Sequence, residues 1–282
     1  MTRGDRAVAG ERRLAFSDMD STFLASDKSI PAGNMSALDL LARRRWGFVP
    51  CTGRALGAMP RELLSHSSVH LAISCNGAMV SDVRTGTSLR QALMGEERTL
   101  ALWEALRDVD CTFDVFADGL SMADGERFSR IGRYGIDGQN ERWLRVTRTV
   151  LDQRTDDIIR NHPNVEKVTL YLGSDEARAA VRAAVARIPG LRCTSSHPNN
   201  LEVGDERATK GEALLWVCSH EGVDPHDVVA FGDSPNDLPM IEAAGDGVAV
   251  ANAVPQVLRA ADHVCGTNDE AGVGAYLEAL LA

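Results

Sequence analysis

Two acidic clusters lie near opposite ends of the sequence, and each directly follows a short apolar run. Asp18-Met19-Asp20-Ser21-Thr22 comes after Leu14-Ala15-Phe16, and Gly232-Asp233-Ser234-Pro235-Asn236-Asp237 comes after Val228-Val229-Ala230-Phe231. Apolar runs of this length are expected as buried strands of a parallel sheet. Such sheets bind ligands beyond the carboxyl ends of their strands. The carboxylates of Asp18, Asp20, Asp233 and Asp237, gathered at one sheet edge, repel one another unless a cation lies between them. Hard oxygen donors suit magnesium. The expected chemistry is that of a magnesium-dependent enzyme acting on an anion, a phosphate above all.

The elements that must hold these clusters can be read along the chain. Leu14 to Ser17 is expected as a strand, Asn34 to Arg45 as a helix capped by Asn34 and stopped by Gly47, and Phe48 to Cys51 as a second strand. Pro50 fits a central strand poorly, so a bulge or the strand's end is expected near Thr52. His70 to Ser74 and Ala78 to Ser81 read as strands around an Asn76-Gly77 turn. From about Val83 to Ser195 the texture changes to hairpins mixed with helices. The alternation of strand and helix returns after Leu201 and runs to Leu281. The expected fold class is α/β: a Rossmann-like parallel-sheet core built from residues 14–82 and 197–282, with an α+β cap inserted at 83–196.

Whole-chain properties narrow the function classes. The 282 residues suffice for one large or two smaller domains, and 44% hydrophobic with 25% charged residues is ordinary for a soluble globular protein. A formal charge of -10 argues against non-specific nucleic-acid binding. No apolar run approaches membrane-spanning length. Residues 1–13 are polar, lack an apolar signal segment and are expected as a disordered extension; their Arg3-Gly4-Asp5 triplet is read as chance. The six cysteines show neither C-x-x-C nor zinc spacing and are expected as reduced, buried thiols of a cytoplasmic protein.

Four motifs in order carry a family resemblance. Asp18-Met19-Asp20-Ser21-Thr22, Thr52-Gly53-Arg54, Lys210-Gly211 and Gly232-Asp233-Ser234-Pro235-Asn236-Asp237 resemble those of the haloacid dehalogenase superfamily. The stretch from Val228 is similar to the Cof-type hydrolases of subfamily IIB, which carry a large α/β cap. Alone, a D-x-D or a Thr-Gly-Arg is common in loops; together and in order they are specific. The resemblance implies Asp18 as nucleophile and Asp20 as the acid and base, a role that needs a pKa nearer neutrality; Asp18 would raise it, bound magnesium would oppose the rise, and the sequence leaves open which prevails. It implies phosphoryl contacts from Thr52, Gly53, Lys210 and Asn236, with Asn236 holding either Lys210 or the phosphoryl group. It also implies magnesium held by Asp18, Asp233, the Asp20 carbonyl and Asp237, the last directly or through water.

One position departs from the resemblance. Cof-type proteins usually carry glycine after the second aspartate, where this chain has Ser21. Phosphoserine phosphatases read D-x-D-S-T, but their cap lies between the first two motifs, an interval too short for it here. The expected activity is phosphatase action on a small phosphorylated metabolite such as a sugar phosphate. A phosphomutase and a phospho-ligand-binding regulator without turnover are the alternatives. Arg54, Asn76, Gly77 and Asn200 are the expected substrate contacts, with Arg133 and Asn199 further possibilities. Trp103, Trp143 and Trp216 are expected in the core, and His66, His162 and His197 at the surface.

Overall fold

The computed structural model describes residues 13–136 and 138–282. The proposed N-terminal extension, save Arg13, and its Arg3-Gly4-Asp5 triplet lie outside the described residues. In chain order the strands are β1 (Leu14–Ser17), β2 (Gly47–Pro50), β3 (Leu71–Ser74), β4 (Met79–Asp82) and β5 (Ser88–Gln91). Next come β6 (Asp114–Ala117), β7 (Leu120–Asp124), β8 (Thr149–Leu151), β9 (Val165–Tyr171), β10 (Leu191–Thr194) and β11 (Asn200–Asp205). The chain closes with β12 (Val229–Gly232), β13 (Asp246–Val250) and β14 (His263–Cys265).

The core sheet has the order β14-β13-β12-β1-β2, and every pairing in it is parallel. All residues of β1, β2 and β12 are buried, as apolar runs flanked by helices on both faces require. Ser17 pairs with Phe231, and Asp18 N–H extends the ladder to Phe231 O at 2.9 Å. Because β1 and β12 are neighbours running the same way, the loops that follow them leave the sheet side by side. This adjacency brings together two clusters some 211 residues apart in the chain.

Of the two outcomes expected at Pro50 the strand's end is the one found: β2 stops there, without a bulge. Gly47 and Cys51 direct their N–H groups to Arg13 and Ser17 on the β1 side, whereas Phe48 and Thr52 direct theirs to Ser68 and Ile73. Pro50 falls in the second set, where β2 meets β3 only through isolated parallel bridges, so its missing donor costs the core ladder nothing. Strands β3, β4 and β5 form a separate antiparallel sheet. Its first turn carries three left-handed residues in a row, Cys75 (φ 51°), Asn76 (φ 58°) and Gly77 (φ 95°).

The first helix runs Ala32–Arg43 and starts from Pro31. Asn34, expected as its cap, is instead buried within it. Its Nδ2 donates to Phe23 O and its Oδ1 accepts from Gly274 N–H, both at 2.7 Å, so it ties the helix to the acidic loop and to the last helix. Gly47 belongs to β2 and does not stop the helix, which turns away at Arg45 with φ 61°.

The middle of the chain forms a six-stranded sheet, β10-β11-β9-β6-β7-β8, antiparallel except where β7 meets β8. Its two faces differ by the alternation of a pleated strand. Val115, Val168, Leu170, Leu201 and Val203 pack beneath the helices Gly95–Leu106, Thr155–Asn161 and Asp175–Ala186. Phe116, Lys167, Thr169, Tyr171, Asn200 and Glu202 occupy the alternate positions and are also buried. The sheet borders differ from the sequence expectation: β5 pairs with β4 of the core, and β11 lies inside the cap sheet. We propose dividing core from cap near residues 92 and 206. A short strand beside a crossover reads the same in sequence whichever sheet it joins. Among the described residues no helix is long and apolar enough to cross a membrane.

Candidate active site

Asp18 is the first residue beyond β1, and the loop after it winds tightly through Met19–Phe23. Within that loop Ser21 sits at φ 62°, left-handed backbone that favours glycine. Its carbonyl accepts from Asn252 Nδ2 at 2.8 Å, a clamp on the strained turn. Lys210 opens the helix Lys210–Glu221 and is fully buried. Its Nζ lies 2.5 Å from Asp18 Oδ1 and 2.6 Å from Asp237 Oδ1. The other oxygen of Asp237 accepts the backbone N–H groups of Asp233 (3.0 Å) and Ser234 (2.9 Å), which folds the second acidic loop back on itself. Asp233 accepts from Thr22 Oγ1 at 3.0 Å and from Ser234 Oγ at 2.8 Å.

Carboxylate oxygens of Asp18, Asp233 and Asp237 all lie within 4.8 Å of one another. Burial, then the neighbouring Asp237 charge, pushes the Asp233 pKa up to about 7. Burial raises Asp18 well above the ordinary carboxylate range, with Lys210 opposing and Asp237 and Asp233 adding to the rise. Lys210 is shifted the other way from burial's demand, because two carboxylates hold its proton. Three buried carboxylates against one ammonium leave a local excess of negative charge, and their donors are hard oxygens. The residues present therefore fit a divalent cation such as magnesium.

Asp20 points elsewhere. Its carboxylate is gripped by Arg54, Nε to Oδ2 at 2.7 Å and Nη2 to Oδ1 at 2.6 Å, with Lys28 Nζ 3.0 Å from Oδ1. Burial works to raise its pKa, but Arg54 and then Lys28 override it and hold Asp20 ionised. The sequence leaves the balance between Asp18 and a bound cation open; in the structure two side-chain cations, Arg54 and Lys28, outweigh the rise.

A cleft between core and cap opens onto both aspartates. Asp18, Asp20, Thr52, Gly53, Arg54, Asp233 and Asn236 line its core side. Thr52 Oγ1 accepts from Arg54 N–H at 3.1 Å. Asn236 does not touch Lys210 in the hydrogen-bond pattern, whose partners are Asp18 and Asp237. Instead its Nδ2 donates to Asn76 Oδ1 at 3.1 Å, and its own Oδ1 is buried without a partner. Asn76 in turn donates to Glu202 Oε2 at 2.7 Å, and Glu202 Oε1 accepts from Lys167 Nζ at 2.6 Å. A relay of polar side chains thus runs from the cap sheet to the second acidic loop.

The expected substrate contacts divide. Arg54 and Asn200 line the cleft. Asn200 Oδ1 already accepts from Ser196 and His197 N–H, which closes the loop before β11. Gly77 makes no cleft wall; it packs on the Thr209 backbone, where a Cβ would lie 2.1 Å from the carbonyl oxygen. Arg133 is exposed and pairs with Asp110. Asn199 donates to Gly135 O at 2.8 Å. Trp143 and His197, expected in the core and at the surface, both line the cleft. Sequence reading missed Lys28, Arg148, Lys167 and Glu202. The last two carried a signal: charged residues at alternate positions of the apolar strands β9 and β11.

Comparison with known proteins fits this geometry. The model of the haloacid dehalogenase-like hydrolases matches residues 15–277. The chain belongs to the haloacid dehalogenase-like hydrolases. The 5-amino-6-(5-phospho-D-ribitylamino)uracil phosphatase YwtE of Bacillus subtilis is 28% identical to it over 281 residues, covering 94% of this chain and 96% of the relative. A haloacid dehalogenase-like hydrolase of B. subtilis superposes with a TM-score of 0.81 at 24% identity, over 95% of this chain and 99% of the other. The subclass IIB sugar phosphatase BT4131 superposes with a TM-score of 0.79 at 18% identity, over 95% and 98%. As a haloacid dehalogenase-like hydrolase with phosphatase-named relatives, the protein is an enzyme, a phosphomonoesterase. Its parallel core and inserted cap are the fold of these structural neighbours.

Proposed function

We propose that this enzyme is a magnesium-dependent phosphatase of small phosphorylated metabolites whose leaving group is neutral and hydroxylated, as in sugar phosphates. The observation that carries the reading is the buried Asp18 carboxylate, held by Lys210 and facing the cleft beside Asp233. Asp18 attacks phosphorus as the bond to the leaving oxygen breaks, forming an aspartyl-phosphate. Asp20 gives its proton to that oxygen. Water then attacks phosphorus, Asp20 takes the water's proton, and the bond to Asp18 breaks to release phosphate. Asp20 must gain a proton before the first step, which the approach of a dianionic phosphoryl group favours.

Lys210, Thr52 and backbone N–H groups of the first acidic loop suit the phosphoryl oxygens. Asn236 Oδ1, buried and unpaired, can take a donor such as a substrate hydroxyl but not a phosphoryl oxygen, and its Nδ2 is spent on Asn76. Asp18, Asp233 and the Asp20 carbonyl would hold magnesium, with Asp237 directly or through water. Bound there, the ion would offset the excess negative charge and stabilise charge on the phosphoryl oxygens.

The cap face supports the leaving-group class. Lys167 is paired with Glu202 at 2.6 Å, Arg148 with Asp114 at 2.8 Å, and Lys28 and Arg54 with Asp20. A second anionic group on the substrate must break one of these pairs, whereas hydroxyls can hydrogen-bond to them intact, with Phe116 and Tyr171 as apolar walls. Incubation with hexose phosphates tests the reading: free inorganic phosphate is expected, and isomerised ester without phosphate would instead indicate a mutase. Release should stop with EDTA, return with magnesium, and be lost by ~10⁴-fold or more in Asp18→Asn. Turnover retained in Asp18→Asn would remove the nucleophile assignment.

A further inference from the structure

A cap side chain reaches the acid–base residue through Arg54. Arg54 uses Nε and Nη2 on Asp20 and Nη1 on Ala58 O at 3.1 Å, so the edge of its guanidinium is committed and its faces remain. The Trp143 ring lies over one face, with 4.5 Å from the guanidinium carbon to the ring centroid. Trp143 belongs to the cap helix Gly138–Thr147, and Arg54 to the core loop after β2. The indole is itself backed by a small cap cluster that includes Phe128, Tyr134, Leu144 and Tyr171. It is a supported platform, not a side chain lying loose in the cleft.

We infer that Trp143 is a positioning residue for Asp20, acting through Arg54. Seating the cap places the indole on the guanidinium, excludes water from that face and fixes the plane of the fork that aims the Asp20 carboxylate. Lifting the cap to admit substrate or release product removes the platform and opens that face to water, leaving Arg54 held only by its edge contacts to Asp20 and Ala58. The proton-transfer geometry is thereby complete only when the cap is down, so chemistry is confined to the water-poor closed state. The inference rests on the phosphatase reading above, and it is separate from any part Trp143 plays as a wall of the leaving-group site. A wall alone changes substrate binding, which appears in KM, whereas a positioning residue changes kcat.

The test is steady-state kinetics on p-nitrophenyl phosphate and a hexose phosphate for the full-length enzyme with Trp143→Phe, Trp143→Leu, Arg54→Lys and the Leu/Lys double variant. Trp143→Leu stays apolar but is smaller and loses the π face, and its kcat is expected to fall roughly tenfold on both substrates. Trp143→Phe should restore most of that loss. In the Arg54→Lys background, Trp143→Leu should change kcat little, because the route to Asp20 is already broken. A Trp143→Leu effect confined to KM, or factors that multiply in the double variant, would overturn the inference while leaving the phosphatase reading in place. A wild-type enzyme with no turnover of any phosphate ester would overturn both. Failure of Trp143→Leu to fold shifts the decision to Trp143→Met, whose kcat must then fall by a similar factor; an unchanged kcat would overturn the inference.

Discussion

Arg54 and Asp20 meet fork to fork across the floor of the cleft, with both nitrogen–oxygen contacts between 2.6 and 2.7 Å. This is the bidentate geometry in which arginine and carboxylate bind most specifically. It makes Asp20 a located group and not a generic loop aspartate. Asp20→Asn keeps the shape but loses the transferable proton. Its kcat on p-nitrophenyl phosphate should fall by about 10²–10⁴-fold, and its melting temperature should drop as the buried Arg54 loses its anion. An Asp20→Asn variant with unimpaired turnover would show that another group moves the proton.

Lys167 and Glu202 form a buried ion pair, each side chain no more than 6% exposed. Removing one partner strands the other, so Glu202→Gln should lower stability by about 3–5 kcal/mol in chemical denaturation. The same change frees Lys167 in the leaving-group site and removes a carboxylate there. The ratio of kcat/KM for esters with an anionic leaving group to that for hexose phosphates should therefore rise. An unchanged ratio would mean that the pair braces the cap without reading the substrate.

Glu166 supplies one testable pH dependence of stability. It lies at the seam between cap and core, accepting from Cys75 Sγ at 2.8 Å and from Gly119 N–H at 3.1 Å. Burial raises its pKa above the ordinary glutamate value of 4.5, and these hydrogen bonds oppose the rise only in part. A carboxyl with a raised folded pKa costs stability above that pKa, and the cost is relieved as pH falls through it toward 4.5. Glu166→Gln should accordingly melt above wild type at pH 8, and the gap should narrow by pH 5. A wild type more stable than the variant at pH 8 would reverse the sign of this argument.

Gly77 is required by contact as well as by conformation. Its φ is 95°, and an added Cβ would meet Thr209 O at 2.1 Å, one residue before Lys210. Gly77→Ala should destabilise the protein by roughly 2–5 kcal/mol, from backbone strain and overpacking together. Because the displaced segment carries Lys210, residual folded protein should also show reduced kcat. Thermal melts and kinetics on the soluble fraction check both.

The core was legible because its strands are apolar on both faces and end in acidic loops. Leu14–Ser17 and Val229–Gly232 were readable as strands, and Asp18, Thr52, Lys210 and Asp233 follow from motif order. What stayed hidden depended on distant partners. Asn34 reads as a helix cap, yet its amide is consumed by Phe23 and Gly274, and no local pattern reports that. Trp143 reads as core because an aromatic on a cap helix gives no sign of an arginine lying 89 positions earlier in the chain. The borders of the cap are hard to read because β5 and β11 differ from their neighbours only in the strand each pairs with. Pro50 was legible as an anomaly, but its resolution needed to know which side of β2 was left without a continuous ladder.

The placement of β1 between β2 and β12 has a bearing on how the molecule is made. The strand that carries Asp18 leaves the ribosome some two hundred residues before one of its two neighbours, Val229–Gly232. The cap sheet, by contrast, draws all its strands from Asp114 to Asp205 and can close on itself during synthesis. The core must keep β1 waiting, and contacts of such sequence separation form slowly. A chain arrested before Val229 would therefore carry a formed cap above an acidic loop with no second loop to face, and the enzyme's charge cluster would come into being only in the final stage of its folding.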